Sequence, residues 1–258
     1  MEKQNQQSEW HYQWSRYRQS GKFLFEDWIY PTRLEDFKNK TVLDCGCGSG
    51  DHLKLVAMYA ERCVGIDLNS AEIARENLKG YRNVEIIEGD IATLKLDEKF
   101  DIVYSIGVLH HTINPSRAFN NIKKFVKKNG KLIIWVYSYE GNFLTRTFLE
   151  YLKRIFFLRI SKKNLERISK VITALMYIPI YSIYLLPLKF LPYYFYFQNW
   201  RRLNFQRNFL NVFDKLNAPT THFIKREVIE SWFNGNEFID VYIDHYKGVS
   251  WRASGIKI

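Results

Sequence analysis

The chain has 258 residues, 47% of them hydrophobic, which suffices for one large domain with a packed core and excludes global disorder. Its 38 Lys/Arg against 27 Asp/Glu leave a net charge of +11, pointing to an acidic partner or surface. Three cysteines, Cys45, Cys47 and Cys63, form no disulfide framework, and with no secretory leader in view the expected location is a reducing cytoplasm. No metal site is expected, because the cysteines read as packed strand-end thiols with too few partners to hold zinc. Residues 1–9, polar and without an apolar run, read as a frayed terminus. From Trp10 to Tyr30 the sequence becomes aromatic, and its plainest reading is a pair of amphipathic helices capping a sheet.

After the charged connector Glu35 to Lys40 comes the stretch on which the chain is organised. Val42 and Leu43 end a buried strand, Gly46, Gly48 and Gly50 follow, and Leu53, Leu55, Val56 and Tyr59 then repeat at helical spacing. Glycines in such a turn let a ligand lie against bare backbone. The spacing is G-x-G-x-G, one residue short of the dinucleotide fingerprint, and no G-K-[ST] phosphate loop is present. Asp44 and Asp51 flank the turn and would repel a pyrophosphate. A ligand with an ammonium and a ribose but no phosphate, such as S-adenosylmethionine, fits that charge pattern. A second strand, Arg62 to Leu68, places Asp67 21 residues beyond Gly46, close to the offset at which a carboxylate accepts from ribose hydroxyls. Asn69 or Ser70 caps the helix that follows, whose Ile73, Ala74 and Leu78 form its buried stripe. A third strand, Val84 to Ile87, leads into Asp90 and Ile91, where an adenine amino group would be read. A fourth, Phe100 to Ser105, leads into Gly107, His110 and His111.

These four segments, in this order, resemble the class I S-adenosylmethionine-dependent methyltransferases, and Leu109-His110-His111 is similar to the branch that contains quinone-biosynthesis and other small-molecule enzymes. The resemblance covers residues 40–138 well and 219–258 moderately. It implies a seven-stranded, mostly parallel Rossmann-like α/β sheet with an antiparallel C-terminal strand. S-adenosylmethionine is then the expected cofactor, held by Asp44, Gly46, Gly48, Gly50, Asp67, Leu68, Asp90, Ile91, Ser105 and His110. The resemblance also favours the aromatic N-terminal stretch as a lid that keeps water from the cofactor.

Farther along, Asn114-Pro115 starts a helix with Ala118, Ile122, Phe125 and Val126 inward and Gly130 at its end, so that Lys123, Lys124, Lys127 and Lys128 form a solvated face. Strand five is expected at Lys131 to Tyr137. The alternation then breaks. Residues 141–215 carry 13 Lys/Arg against 3 acids, nearly all of the net charge, and contain the uncharged 18-residue run Val171 to Leu188. That run barely reaches membrane-spanning length, and a chain that must rejoin its own sheet would need an even number of crossings. A helical cap over a substrate pocket is therefore expected, with a basic, aromatic element lying in a membrane surface as the alternative and nucleic acid ranked below both. After a linker at Asn217-Ala218-Pro219, a helix over Lys225 to Phe233 and strands at Phe238 to Ile243 and near Val249 to Ile258 close the sheet. The expected divisions are residues 1–40 as an aromatic cap, 41–140 with 216–258 as the core, and 141–215 as the insertion.

Methyl transfer chiefly requires alignment and exclusion of water, with a base needed only for a hydroxyl or an acidic carbon. His110, His111 and His222 are the candidate bases; neighbouring histidines on a helix diverge by about 100°, so one of the pair, His110, is expected to face the substrate. The loop Ser105-Ile106-Gly107-Val108 lacks the Asn/Asp-Pro-Pro-aromatic motif of base amino methyltransferases, and no Pro-Cys pair occurs. The expected reaction is methyl transfer to an O or C nucleophile of a lipophilic, amphiphilic or glycan-linked small molecule. An RNA methyltransferase using the basic insertion and a non-catalytic, cofactor-sensing docking module are the alternatives.

Overall fold

The structure is a computed structural model that describes residues 2–17 and 21–258. Residue 1 of the expected frayed stretch and residues 18–20 of the aromatic stretch lie outside the described residues. From Glu2 the chain is already helical in α1 (Glu2–Arg16), followed by α2 (Lys22–Ile29).

Five parallel strands follow with their helices: β1 (Thr41–Cys45), α3 (Asp51–Val56), β2 (Arg62–Asp67), α4 (Ala71–Leu78), β3 (Val84–Glu88), β4 (Phe100–Ile106), α5 (Pro115–Ile122) and β5 (Val126–Tyr137). Helices separate the strands except between β3 and β4, which a turn joins. The insertion contributes a π-helical turn at Thr145–Leu149, α6 (Glu150–Ile155), α7 (Lys162–Ile180), α8 (Tyr194–Trp200) and α9 (Phe205–Asn217). α10 (Arg226–Trp232), β6 (Phe238–Tyr246) and β7 (Ser250–Lys257) return to the sheet, whose order is β3-β2-β1-β4-β5-β7-β6. β7 runs antiparallel to both β5 and β6, so the sheet is the expected mostly parallel one with an antiparallel C-terminal strand.

Period-2 alternation divides the strand residues between two apolar layers. Leu43, Val64, Val103, Leu132 and Ile134 pack on one face with α5 and α10, while Val42, Cys63, Ile102, Tyr104 and Ile133 pack on the other with α2 and α3. α5 starts as expected, with Asn114 Oδ1 accepting the Arg117 N–H at 2.9 Å and Pro115 in the first turn. It ends earlier than expected. After a 3₁₀ turn at Lys123–Phe125, Val126 already pairs with Phe100, and residues 127–130 bulge out before Lys131 resumes pairing with Ile102. Lys127 thus reaches the Asp101 carboxylate at 2.9 Å instead of lying on a helix.

The insertion packs around Leu165, Phe209, Phe213 and Leu216, and Tyr17 at the end of α1 belongs to the same cluster. Ser161 and Asn204 cap α7 and α9 through their side chains. The expected uncharged run divides: α7 ends one residue beyond Pro179, and the remainder turns back as a short 3₁₀ segment at Ile183–Leu185. Among the described residues, no helix is long and apolar enough to cross a membrane.

Gly50, at φ +84° ahead of α3, fits against α4 so closely that a Cβ would stand 2.6 Å from Leu78 Cδ1. Gly50→Ala should therefore destabilise the fold by about 2 kcal/mol through strain and overpacking. Thermal denaturation checks this as a drop in Tm of several degrees, with the α/β circular-dichroism signature retained.

Candidate active site

The carboxyl ends of β1, β2, β3 and β4 enclose a cleft of about 480 Å³. Its walls include six of the residues named for the cofactor, Gly46, Gly48, Asp67, Leu68, Asp90 and Ile91. Gly46 and Gly48 have φ of +96° and +55°, and a Cβ on Gly46 would meet Val108 Cγ2 at 2.4 Å. Asp67 is the anchor: Oδ2 accepts the Gly48 N–H at 2.9 Å, and Oδ1 accepts those of Asn69 at 2.9 Å and Ser70 at 2.8 Å. Burial pushes its carboxyl up, and these backbone donors oppose the shift. The start of α4 is therefore held by Asp67, because the Ser70 side chain makes no capping bond.

Four of the residues expected to hold the cofactor lie off this wall: Asp44, Ser105, Gly50 and His110, the last of which faces a separate cavity. Asp44, 2% exposed in β1, sits behind the glycine turn; burial pushes its carboxyl up to about 8, the Tyr104 phenol lowers it and Asp67 raises it further. Ser105 is fully buried and donates to the Cys45 carbonyl at 2.8 Å, leaving Ile106 and Gly107 on the wall. Gly50 packs against α4.

S-adenosylmethionine fits the groups present. The glycine turn offers bare backbone, the acids Asp51, Asp67 and Asp90 suit a cationic ligand, and Asn69 Oδ1 is buried in the wall without a partner. α1 roofs the cleft, with Trp14 over Gly48, Trp10 4.8 Å from the His111 ring and His11 Nδ1 3.3 Å from the Asn69 carbonyl oxygen.

A second cavity, of about 380 Å³, opens beneath the insertion. It shares Trp10, Trp14, His52, Ile106 and Gly107 with the cofactor cleft, so the two spaces meet there. The two adjacent histidines divide between them. His110, 1% exposed, faces the second cavity, whereas His111 faces the cleft and places Nδ1 2.9 Å from the Thr220 carbonyl oxygen. Burial, then His111, His222 and Lys215, hold His110 well below the ordinary histidine range. His222 lines neither space; its backbone N–H donates to the His110 carbonyl at 2.8 Å.

Two residues stand out that sequence reasoning did not place. His52, in the first turn of α3, lies at the junction, stacked on Phe25 at 4.7 Å, with Nε2 buried and unpartnered. Its position two residues after the last glycine was the only available signal. Arg207, in α9, lines the second cavity, and no sequence motif marks it.

Burial, then the Arg207 charge, push His52 from 6.5 down to about 3. A histidine depressed in the folded state gives stability that is present above its unfolded pKa and is lost as pH falls from 6.5 toward 3. The Tm should therefore fall on acidification across this window, and His52→Gln should flatten the slope; an unchanged slope in that variant would refute the assignment.

Residues 43–134 match the family profile described as "Methyltransferase domain". Curated relatives include the tRNA U34 carboxymethyltransferases of Actinobacillus pleuropneumoniae serotype 3 and Vibrio vulnificus, each 33% identical over 115 residues that cover 42% of this chain and 36% of theirs. The chain thus spans about a third of the length of the curated relatives it matches. Among solved structures, an O-methyltransferase family protein from Burkholderia thailandensis aligns with a TM-score of 0.54 at 13% identity, over 91% of this chain and 55% of that one. The pyocyanin biosynthetic protein PhzM aligns with a TM-score of 0.51 at 14% identity, over 91% and 54%. These two share the fold. Profile match, strand order and glycine-turn geometry agree: residues 43–134 form a methyltransferase domain, and the sheet around it has the fold of the class I S-adenosylmethionine-dependent methyltransferases.

Proposed function

We propose that this protein transfers the methyl group of S-adenosylmethionine to an O or C nucleophile of a lipophilic or amphiphilic small molecule seated beneath the insertion. One observation carries the reading: the cavity under the insertion, whose wall includes Trp28, Trp135, Tyr193, Tyr196, Phe197 and Trp200, meets the cofactor cleft at Trp10, Trp14, His52, Ile106 and Gly107. The cofactor supplies an electrophilic methyl on a sulfonium. Asp67 and the glycine turn orient the ribose and the amino-acid tail, and Trp10 and Trp14 exclude water from the junction. His52 and His110, held neutral by burial, accept a hydrogen bond from an acceptor hydroxyl and keep it aligned.

The names of the curated relatives favour a second reading, an RNA acceptor reached through the basic insertion. Transfer of label from methyl-labelled S-adenosylmethionine into a host-cell extract, partitioned afterwards, separates the two. Label in the organic phase is the expected result; label in RNA would overturn the ranking. Asp67→Ala should lower cofactor affinity by at least about tenfold and abolish labelling, as removal of a three-donor anchor demands.

The outer face of the insertion supports a further element of the same proposal, contact with an anionic membrane surface. Among the described residues, 17 of the 25 exposed large apolar side chains lie within 141–215, where the basic excess also lies. Val171, Leu175 and Ile178 form one outward stripe on α7, and Phe190, in the turn that follows, is 81% exposed. Apolar side chains among lysines and arginines are the chemistry of an interfacial element. Vesicles rich in phosphatidylglycerol should co-sediment the protein, and replacing Ile178 and Phe190 by Ser should cut that binding several-fold while cofactor binding holds. Equal sedimentation of the variant would sink the idea.

A further inference from the structure

The cavity beneath the insertion is lined by three unpaired fixed donors. Arg207 Nε, Trp135 Nε1 and Trp200 Nε1 are all buried without a hydrogen-bond partner, and each of these groups can only donate. The other orphaned side-chain atoms among the described lining residues are the acceptor Asn199 Oδ1 and the ring nitrogens His52 Nε2, His110 Nδ1 and His110 Nε2, which donate or accept according to tautomer. Buried unpaired polar groups cost about 1–3 kcal/mol each, so a cluster of one kind points to a ligand of the opposite kind.

The charges agree. Arg207 makes no direct ion pair among the described residues, although the Asp214 charge acts on it from a distance and opposes the effect of burial, and its guanidinium carbon stands 5.8 Å from the centre of the Trp28 ring. Trp135 packs on the same ring at 5.0 Å and His52 at 5.7 Å, which gathers the cation, one free indole N–H and a neutral imidazole around Trp28. Lys215, two helical turns farther along α9, also faces the cavity and donates to the Tyr196 hydroxyl at 3.0 Å. The acids on the wall are already engaged. Asp214 accepts from Gln13 at 3.2 Å and from Tyr137 at 3.2 Å, and Glu150 pairs with the buried Lys153 at 2.7 Å.

We propose that the acceptor is an amphiphile bearing an anionic oxygen group, a carboxylate or a phosphate, which seats on Arg207 beside the Trp135 indole N–H while its apolar body lies along Ile172, Met176 and Phe197. This rests on the cavity being the acceptor site. A planar guanidinium suits both anions bidentately, and its low hydration suits it to an apolar wall. The group fixes which end of the acceptor enters first and therefore which atom stands at the junction with the cofactor cleft.

Binding of octanoate, octyl phosphate and octanol, followed by tryptophan emission in the presence of S-adenosylhomocysteine, tests this. At least one anion should bind about tenfold or more tightly than the alcohol, the increment expected of a charge-assisted pair. Whichever anion binds more tightly identifies the headgroup. Arg207→Gln should erase the preference for the anion and leave octanol and S-adenosylhomocysteine binding unchanged, whereas Arg207→Lys should keep part of it. Equal affinity for alcohol and anions, or a preference that survives Arg207→Gln, overturns the inference and leaves the acceptor-cavity reading standing. No binding of any of the three overturns both.

Discussion

The Asp67 carboxylate is the contact on which the site depends. Buried side chains of this type are costly unless hydrogen-bonded, and here three backbone N–H groups from two separate turns converge on one carboxylate. Gly48 belongs to the turn after β1, and Asn69 and Ser70 belong to the turn after β2. β1 and β2 are adjacent and parallel, with Cys45 opposite Ile66, so their turns emerge at the same level and one side chain can tie them together. The bond that would hold a ribose thus also sets the backbone on which the rest of a cofactor would lie. Loss of Asp67 would disturb both at once.

The glycine turn, the acids at the strand ends and the alternation of strand and helix were legible because local spacing determines them, whereas the seven-stranded arrangement came from the family resemblance. The parallel sheet follows from alternation, and the placement of Asp67 and Asp90 follows from strand length and turn length. Where pleat and packing decide which way a side chain turns, spacing alone is insufficient. Asp44 carries the right charge, but its pleat position turns it behind the turn, where burial favours the neutral carboxyl. Ser105 stands at the end of a strand with its hydroxyl satisfied by Cys45, while the bare Gly107 behind it forms the wall. The histidine pair was expected to send one member, His110, to the substrate; in the structure the two diverge, His110 lining the second cavity and His111 the cofactor cleft, because they sit in a 3₁₀ turn at the boundary between the two.

Arg207 and His52 escaped because their meaning comes from long-range packing. Neither has a motif, and their neighbours Trp28 and Trp135 come from distant parts of the chain. The basic composition of the insertion was plain in the sequence, yet it did not distinguish a cation on the outer face from one turned inward to a cavity. That division is set by which face of α9 meets α1 and the sheet. A count of lysines and arginines therefore describes the surface potential and hides the one guanidinium that matters most to the pocket.

The roof over both spaces is built differently from the floor. The sheet is held by two continuous apolar layers, whereas α1 meets the insertion through a small shared cluster around Tyr17, Phe209 and Phe213 and through polar ties such as Gln13 to Asp214 and Asn217 to the Glu9 carbonyl. Each such hydrogen bond contributes about 1 kcal/mol net, far less than the apolar area that fixes the strands. Local opening concentrates where buried apolar contacts are few, so the roof is the part of the fold that parts first. Because α1 covers the cofactor cleft and α9 covers the second cavity, and the two helices share one cluster, opening at that seam would admit cofactor and acceptor together, and reclosure would dry the junction between them.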